Sequence, residues 1–231
     1  MKKKLVFIYF LFLFLLKCFS APLELVSENV LENGLTTFIL PDNSNALVRI
    51  EFCVKAGFSS QTQQTNGFFK LYSNIINSSA KNFSFLSADC KADSTHFIIE
   101  LPPSQLYEVL DELSKLMFSN QFSNEIINAE FTKLKNENAN LVKDASGILN
   151  AGIDSKVFSE TPWKHDSGIY PNLFKKYSTS QVRATLNYIA NNWYTPQNSA
   201  IFISGNILPQ ETLAILNQTF GCYFSNTKVP I

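Results

Sequence analysis

The stretch that decides the fold is Asn66-Gly67-Phe68-Phe69-Lys70-Leu71-Tyr72-Ser73-Asn74-Ile75-Ile76. Its apolar residues recur three and four positions apart, which is the spacing of one face of an amphipathic helix. This predicted buried stripe consists of Phe68, Leu71, Tyr72, Ile75 and Ile76. The polar residues Lys70, Ser73 and Asn74 share the other side, because residues three and four apart are neighbours on a helix surface. The pattern predicts a helix that buries one face and offers these three residues on the other.

The first 21 residues have the pattern of a secretory signal peptide. Three lysines at positions 2–4 precede an unbroken apolar run over residues 5–16, and the small residues Ser20 and Ala21 follow. That run is shorter than the roughly 20 apolar residues that a membrane-spanning helix needs. We therefore expect a signal peptide at 1–21 and a secreted or periplasmic mature chain with no membrane span. An uncleaved amino-terminal anchor is the alternative.

The charge balance argues against nucleic acid or an anionic membrane surface as a partner. Removal of residues 1–21 takes away four lysines and no acid, which leaves 15 basic and 19 acidic residues and a formal charge of −4. A chain that binds a phosphate backbone through electrostatics carries the opposite sign.

The cysteines do not indicate a disulfide framework. Cys53, Cys90 and Cys222 remain after removal of the signal peptide, and no C-x-x-C pair is present. An odd number of cysteines is unusual for a disulfide-stapled or zinc-knot protein. We expect small buried thiols, with a Cys53–Cys90 bond as the alternative if their strands are adjacent.

The rest of the chain has the pattern of an α+β protein. Val48 to Lys55 alternates apolar and polar residues, which is typical of an antiparallel strand with one buried face. Further strands are predicted over 36–40, 83–90, 95–101 and 199–204. Helices are predicted over 106–117, 123–144, 147–158, 179–193 and 209–220. Because strands come in pairs between groups of helices, we expect one domain at 22–231, an antiparallel sheet with helices packed on one face.

Short motifs recur in a recognisable order along the mature chain. They are Leu31-Glu32-Asn33-Gly34-Leu35, Asn66-Gly67 opening a helix, Asp93-Ser94-Thr95-His96-Phe97, Glu130 and Glu137 on one helix, Trp193-Tyr194-Thr195-Pro196, and Ile203-Ser204-Gly205-Asn206. In this order, the chain resembles the amino-terminal domain of the insulinase/pitrilysin metallopeptidase family, the inverted zincins. The resemblance implies a domain that works in a pair and closes over a peptide.

The motif that carries the family's chemistry is absent from the first predicted helix. Inverted zincins bind zinc through the two histidines of H-x-x-E-H, and the glutamate activates the metal-bound water. Alignment on Gly67 places Lys70 and Asn74 at the histidine positions and Ser73 at the glutamate position. A protonated amine is a poor zinc ligand, and a serine hydroxyl does not replace a carboxylate as general base.

The downstream acids of the family's site are kept. The resemblance places Glu137 at the position of the third zinc ligand and Glu130 at that of a supporting acid. One carboxylate does not hold a catalytic zinc that needs three protein ligands. We therefore expect no zinc cofactor, and an ion pair of Lys70 with Glu130 or Glu137 in place of the metal. Ordinary solvated helix faces are the alternative for all five positions.

Three functions follow from these observations. The first is a secreted, non-catalytic insulinase-like domain whose partner is a second insulinase-like domain or a catalytic peptidase subunit, with a peptide held between them. Because the chain ends at Ile231, about where one such domain ends, we expect the second domain to be missing, truncated or on another chain. The second is a zinc metalloendopeptidase with a non-standard or partner-completed site, for example one that uses His96 and His165. The third is a stand-alone extracytoplasmic binding or structural protein.

Overall fold

A computed structural model of the chain describes residues 26–165 and 168–227. The predicted signal peptide at 1–21 lies outside these residues. Within the described ranges, no helix is both long enough and apolar enough to cross a bilayer.

The strands form one six-stranded sheet. They are β1 (Ser27–Val30), β2 (Thr36–Pro41), β3 (Val48–Val54), β4 (Ser87–Cys90), β5 (Thr95–Leu101) and β6 (Ser199–Gly205), in the spatial order β1-β2-β6-β3-β5-β4. Neighbouring strands are antiparallel except β2 and β6, which run parallel with Thr36 opposite Ala200. A parallel pair needs a long crossover, and here the chain passes through three strands and five helices between β2 and β6. The α+β prediction is confirmed, with one parallel pair in an otherwise antiparallel sheet.

Two strands at the edges of the sheet differ from the sequence prediction. The strand predicted over 83–90 is shorter, since only Ser87–Cys90 pairs with β5. The sequence does not predict β1, which pairs with β2 and alternates between half-buried and exposed residues. Both strands are short, and a short edge strand is set by its neighbour's hydrogen bonds more than by its own pattern.

The helices agree closely with the predicted ranges. They are α1 (Phe68–Ser79), α2 (Leu106–Phe118), α3 (Asn124–Leu141), α4 (Ala145–Val157), α5 (Thr179–Trp193) and α6 (Pro209–Thr219). The start of α5 is fixed by a capping box. The N–H of Gln181 donates to Ser178 Oγ at 3.3 Å, and the N–H of Ser178 donates to Gln181 Oε1 at 2.9 Å.

The sheet has one buried face and one open face. Four alternate side chains of β3 are fully buried: Val48, Ile50, Phe52 and Val54. They join the apolar residues of the helices in one core. The residues between them face the other way, with Arg49 exposed and Glu51 and Cys53 half-buried. We call this second surface, formed by the outward residues of β3 and of the strands beside it, the open face.

No disulfide joins any of the cysteines within the described residues. Cys53 lies on β3 and Cys90 on β4, and β5 separates the two strands. The alternative of a Cys53–Cys90 disulfide is therefore not formed.

Helix α1 is the central helix of the domain. All five residues of its predicted stripe are fully buried, so this prediction is confirmed. The helix packs against α3, α5 and β4. Its aromatic side chains extend these contacts, with ring centroids 5.9 Å apart for Phe69 and Trp193 and 4.4 Å apart for Tyr72 and Tyr194.

The start of α1 requires a glycine. Gly67 precedes the helix with a φ of 86°, in the left-handed region that side chains disfavour. A Cβ added there would lie 2.9 Å from the Tyr170 ring, so the space is also closed. The Gly67 N–H donates to Gln61 Oε1, which fixes the loop that leads into the helix.

Candidate functional site

The polar positions of α1 do not form the shared face that the sequence predicts. Lys70 and Asn74 are half-buried, but Ser73 is only 1% exposed. The Ser73 hydroxyl donates to the Lys70 carbonyl oxygen at 2.9 Å, within the helix. The prediction is wrong at Ser73 because α1 is packed on more than one side, which covers a residue that periodicity alone places outside.

Glu130 is a buried carboxylate at the interface of α3 and α1. It is 8% exposed, and its Oε1 accepts a hydrogen bond of 2.7 Å from Ser78 in the last turn of α1. Its Oε2 lies 3.8 Å from Lys133 Nζ and has no hydrogen-bond partner in the part of the chain that the structure describes. Glu130 therefore links α3 to α1 through a hydrogen bond and is not an ordinary surface acid.

The predicted ion pair of Lys70 with Glu130 or Glu137 is not formed. Across residues 26–165 and 168–227, no pair within 4.0 Å includes Lys70. Glu130 contacts α1 at Ser78, eight residues after Lys70, which is about 12 Å along a helix at 1.5 Å per residue. Glu137 lies on the exposed side of α3.

The residues present do not fit a zinc ion. The described part of the chain contains no group of three or more His, Cys, Asp or Glu side chains that is placed to hold a metal. The positions aligned with the family's motif carry the amine of Lys70, the hydroxyl of Ser73 and the amide of Asn74. The Ser73 hydroxyl is already hydrogen-bonded to a backbone carbonyl. His96 lies on β5, where it contacts Glu51 and not Glu130 or Glu137. The side chain of His165 is outside the described part.

Helix α4 carries an apolar surface that lacks a partner within the described residues. None of its residues is buried. Its exposed apolar side chains are Ile148 at 52%, Leu149 at 63%, Ile153 at 49% and Val157 at 67%. We call these four residues the α4 stripe. Leu149, Ile153 and Val157 recur every four residues, so their spacing could have shown the stripe in the sequence. The spacing does not show that the described residues leave the stripe uncovered.

A cavity of about 500 Å³ adjoins α4, but its lining includes none of the four residues of the α4 stripe. Its lining includes Ala151 and Ser155 of α4, and Pro171 and Asn172 from the segment before α5. Lys164 and Lys175 add positive charge at its edge. The surface beside α4 is thus partly concave and carries both apolar and cationic groups.

Solved structures resemble this chain, whereas sequence comparisons find no match. No sequence family and no curated protein matches the chain. Among solved structures, a protease from Helicobacter pylori matches with a TM-score of 0.77 and 14% identity over 89% of this chain and 52% of its own. The first half of the periplasmic protease PqqL from Escherichia coli matches with a TM-score of 0.72 and 17% identity, over 90% of this chain and 48% of its own. Pitrilysin matches with a TM-score of 0.74 and 14% identity, over 89% of this chain and 24% of its own.

These likenesses define the class of fold. The chain has the fold of the insulinase/pitrilysin-type peptidases, as its motifs predict. It spans about half the length of the Helicobacter protease and of the first half of PqqL, and about a quarter of pitrilysin. The chain therefore matches one part of each of these longer proteins.

Proposed function

We propose that this chain is a secreted, non-catalytic insulinase-like domain that serves as the partner half of a peptidase-like clamshell. In this role it packs against a second insulinase-like domain or a catalytic subunit and helps to hold a peptide. The observation that carries the proposal is the state of Ser73, a buried hydroxyl bonded to the Lys70 carbonyl where an inverted zincin needs its general base.

The proposed loss of catalysis follows from the side chains at the positions aligned with the zinc site. Hydrolysis by a zinc peptidase needs three protein ligands and a carboxylate near the metal-bound water. Lys70 and Asn74 supply an amine and an amide on α1, and the buried acid Glu130 is already bound to Ser78. The residues at this site therefore supply neither the ligands for a catalytic metal nor a general base. The chain alone is proposed to contact peptides without cleaving them.

Two observations support a partner half. The solved structures with this fold are about two to four times longer than the part matched here. The α4 stripe leaves four large apolar side chains exposed on one helix, and a cavity of about 500 Å³ adjoins the same helix. Exposed apolar side chains grouped on one element are typical of an interaction surface.

The catalytic part of the proposal is tested with the mature chain and a mixture of fluorogenic peptides. The expected result is no cleavage above buffer, with or without added zinc. Cleavage that zinc restores and a chelator abolishes would overturn the non-catalytic assignment.

The partner part is tested with a co-expressed insulinase-like protein that keeps H-x-x-E-H. A stable complex is expected on gel filtration, and the double variant Leu149→Ser with Ile153→Ser weakens it. Tyr107→Ser on α2 is the matched control, since Tyr107 is also about half exposed at 51%. A complex that survives the α4 changes, or fails to form, contradicts this role. Amino-terminal sequencing of exported protein tests secretion, with a start after Ser20 or Ala21 expected.

A further inference from the structure

A hydrogen-bonded row of Ser94, His96 and Glu51 crosses the open face of the sheet. Ser94 Oγ lies 2.7 Å from His96 Nε2, and His96 Nδ1 lies 2.7 Å from Glu51 Oε1. Ser94 is the residue immediately before β5 and His96 is the second residue of that strand, and the hydrogen bond holds the two side chains together. Glu51 comes from the neighbouring strand β3, on which Cys53 is directly opposite His96.

The hydrogen bonds fix the roles of the two ring nitrogens. A carboxylate only accepts hydrogen bonds, so Nδ1 of His96 carries the hydrogen and donates it to Glu51. In the neutral ring, Nε2 is then the acceptor and receives the hydroxyl hydrogen of Ser94. Ser94 is hydrogen-bonded to the base His96, and the carboxylate of Glu51 orients the ring of His96. This is the arrangement that activates a serine nucleophile.

Cys53 is the other nucleophilic atom near this histidine. Its Sγ lies 3.9 Å from His96 Nε2, which is much farther than Ser94 Oγ. Burial, and then the charge of Glu51, raise the pKa of the Cys53 thiol above its ordinary value. The thiol therefore stays protonated at neutral pH, and Ser94 is the side chain that His96 serves.

Ser94 is both reachable and held in place. The side chains of His96 and Glu51 are 22% and 34% exposed, and Ser94 is half-buried. The turn before β5 is closed by the Lys91 N–H, which donates to the Ser94 carbonyl at 2.8 Å. Trp163 Nε1 donates to Asp93 Oδ1 at 3.2 Å on the adjoining residue. A small reagent can approach Ser94 Oγ without unfolding of the sheet.

We propose that Ser94, His96 and Glu51 form an acyl-transfer site for activated carboxylic esters. Ser94 Oγ attacks the acyl carbon while His96 Nε2 takes the hydroxyl proton. The bond to the leaving alkoxide breaks, and the alkoxide takes that proton from His96. Water then attacks the carbonyl carbon of the acyl–serine while His96 Nε2 takes its proton. The bond from that carbon to Ser94 Oγ breaks, His96 returns the proton to Ser94 Oγ, and the carboxylic acid leaves. Glu51 is a positioning residue that keeps the ring in the required tautomer.

The test uses a fluorophosphonate probe on the full mature chain, followed by peptide mass spectrometry. The Ser94 oxygen–phosphorus bond forms, the phosphorus–fluorine bond breaks, and the Ser94 proton leaves with fluoride through His96. We expect label on the peptide that contains Ser94. S94A loses the label, and H96N labels about 100-fold more slowly, the lower end of what general base catalysis supplies. S87A is the matched control on β4, because the Ser87 hydroxyl donates to the carboxylate of Asp89 and not to His96.

Two further results separate chemistry from a structural role. E51Q is expected to label more slowly than E51D, which keeps a carboxylate, while circular dichroism shows both variants folded. Labelling of Cys53, or labelling that H96N leaves unchanged in a folded protein, overturns the proposal. The site lies on the open face, so either outcome is independent of the catalytic state of α1.

Discussion

Helices α1 and α4 are close in length and opposite in environment. α1 buries Phe68, Leu71 and Ile75 completely, whereas α4 has no buried residue and exposes Leu149 and Ile153 by about half or more. Both helices carry large apolar side chains at helical spacing. The difference is their position, since α1 lies among β4, α3 and α5 while the α4 stripe faces outward. Apolar spacing thus identifies a surface that needs a partner, and the fold decides whether that partner is in the same chain.

The largest expected contrast comes from one truncation in each helix. Leu71→Ala removes a fully buried side chain and leaves a cavity, so we expect a loss of about 2–5 kcal/mol in the free energy of unfolding. Leu149→Ala removes a side chain that is 63% exposed, and the expected change is within about 0.5 kcal/mol. Urea denaturation of the isolated chain measures both. Equal losses would mean that α4 is also buried in solution.

A glycine pair sharpens the same comparison. Gly67→Ala places a Cβ at a φ of 86° and against Tyr170, and we expect a loss of about 1–3 kcal/mol. Gly152→Ala in the middle of α4 meets nothing within 4 Å, and we expect a gain of about 0.5–1 kcal/mol from helix propensity. The same denaturation experiment checks both signs. A destabilising Gly152→Ala would show that α4 is not helical in solution.

The buried phenols around α1 give a pH dependence. Burial raises the pKa of Tyr72 and of Tyr194 above the ordinary value of 10.0. Above pH 10 the unfolded chain loses these protons while the folded chain keeps them. The two tyrosines therefore add no pH dependence well below pH 10, and they lower the stability as the pH rises above it. The slope is up to about 1.4 kcal/mol per pH unit for each tyrosine. Denaturation from pH 8 to pH 11 measures it, and a flat profile would contradict the burial of these phenols.

The smallest expected effect concerns Lys70. Among the residues that the structure describes, none forms an ion pair with Lys70 within 4.0 Å, so Lys70→Gln is expected to change the free energy of unfolding by less than about 0.5 kcal/mol. A buried pair with Glu130 or Glu137 would instead cost about 3–5 kcal/mol on removal of one partner. A loss of that size would indicate that Lys70 does form the ion pair predicted from the sequence.

Local pattern predicts the parts of this fold that are set locally. The stripe of α1, the alternation along β3 and the capping box of α5 are each readable from a few neighbouring residues. The parallel pairing of β2 with β6 is not, because it depends on where a long crossover returns the chain. Periodicity likewise does not reveal that Ser73 is buried, since that depends on which helices and strands surround α1.

The candidate sites divide in the same way. The positions of Lys70, Ser73 and Asn74 follow from alignment of one motif. Whether Lys70 reaches an acid on α3 depends on how α1 and α3 pack, and the alignment does not give that. The row of Ser94, His96 and Glu51 depends on the register that places β3 beside β5. A spacing of two between Ser94 and His96 is the only part of it visible in the sequence.

Zinc content tests the central claim most directly. Mature protein is incubated with excess zinc, freed of unbound metal by gel filtration and measured by inductively coupled plasma mass spectrometry. We expect far less than one zinc ion per chain, because the described residues of α1 and α3 do not supply three ligands at one point. One zinc ion per chain, lost when Lys70, Asn74 and Glu137 are replaced by alanine, would contradict it.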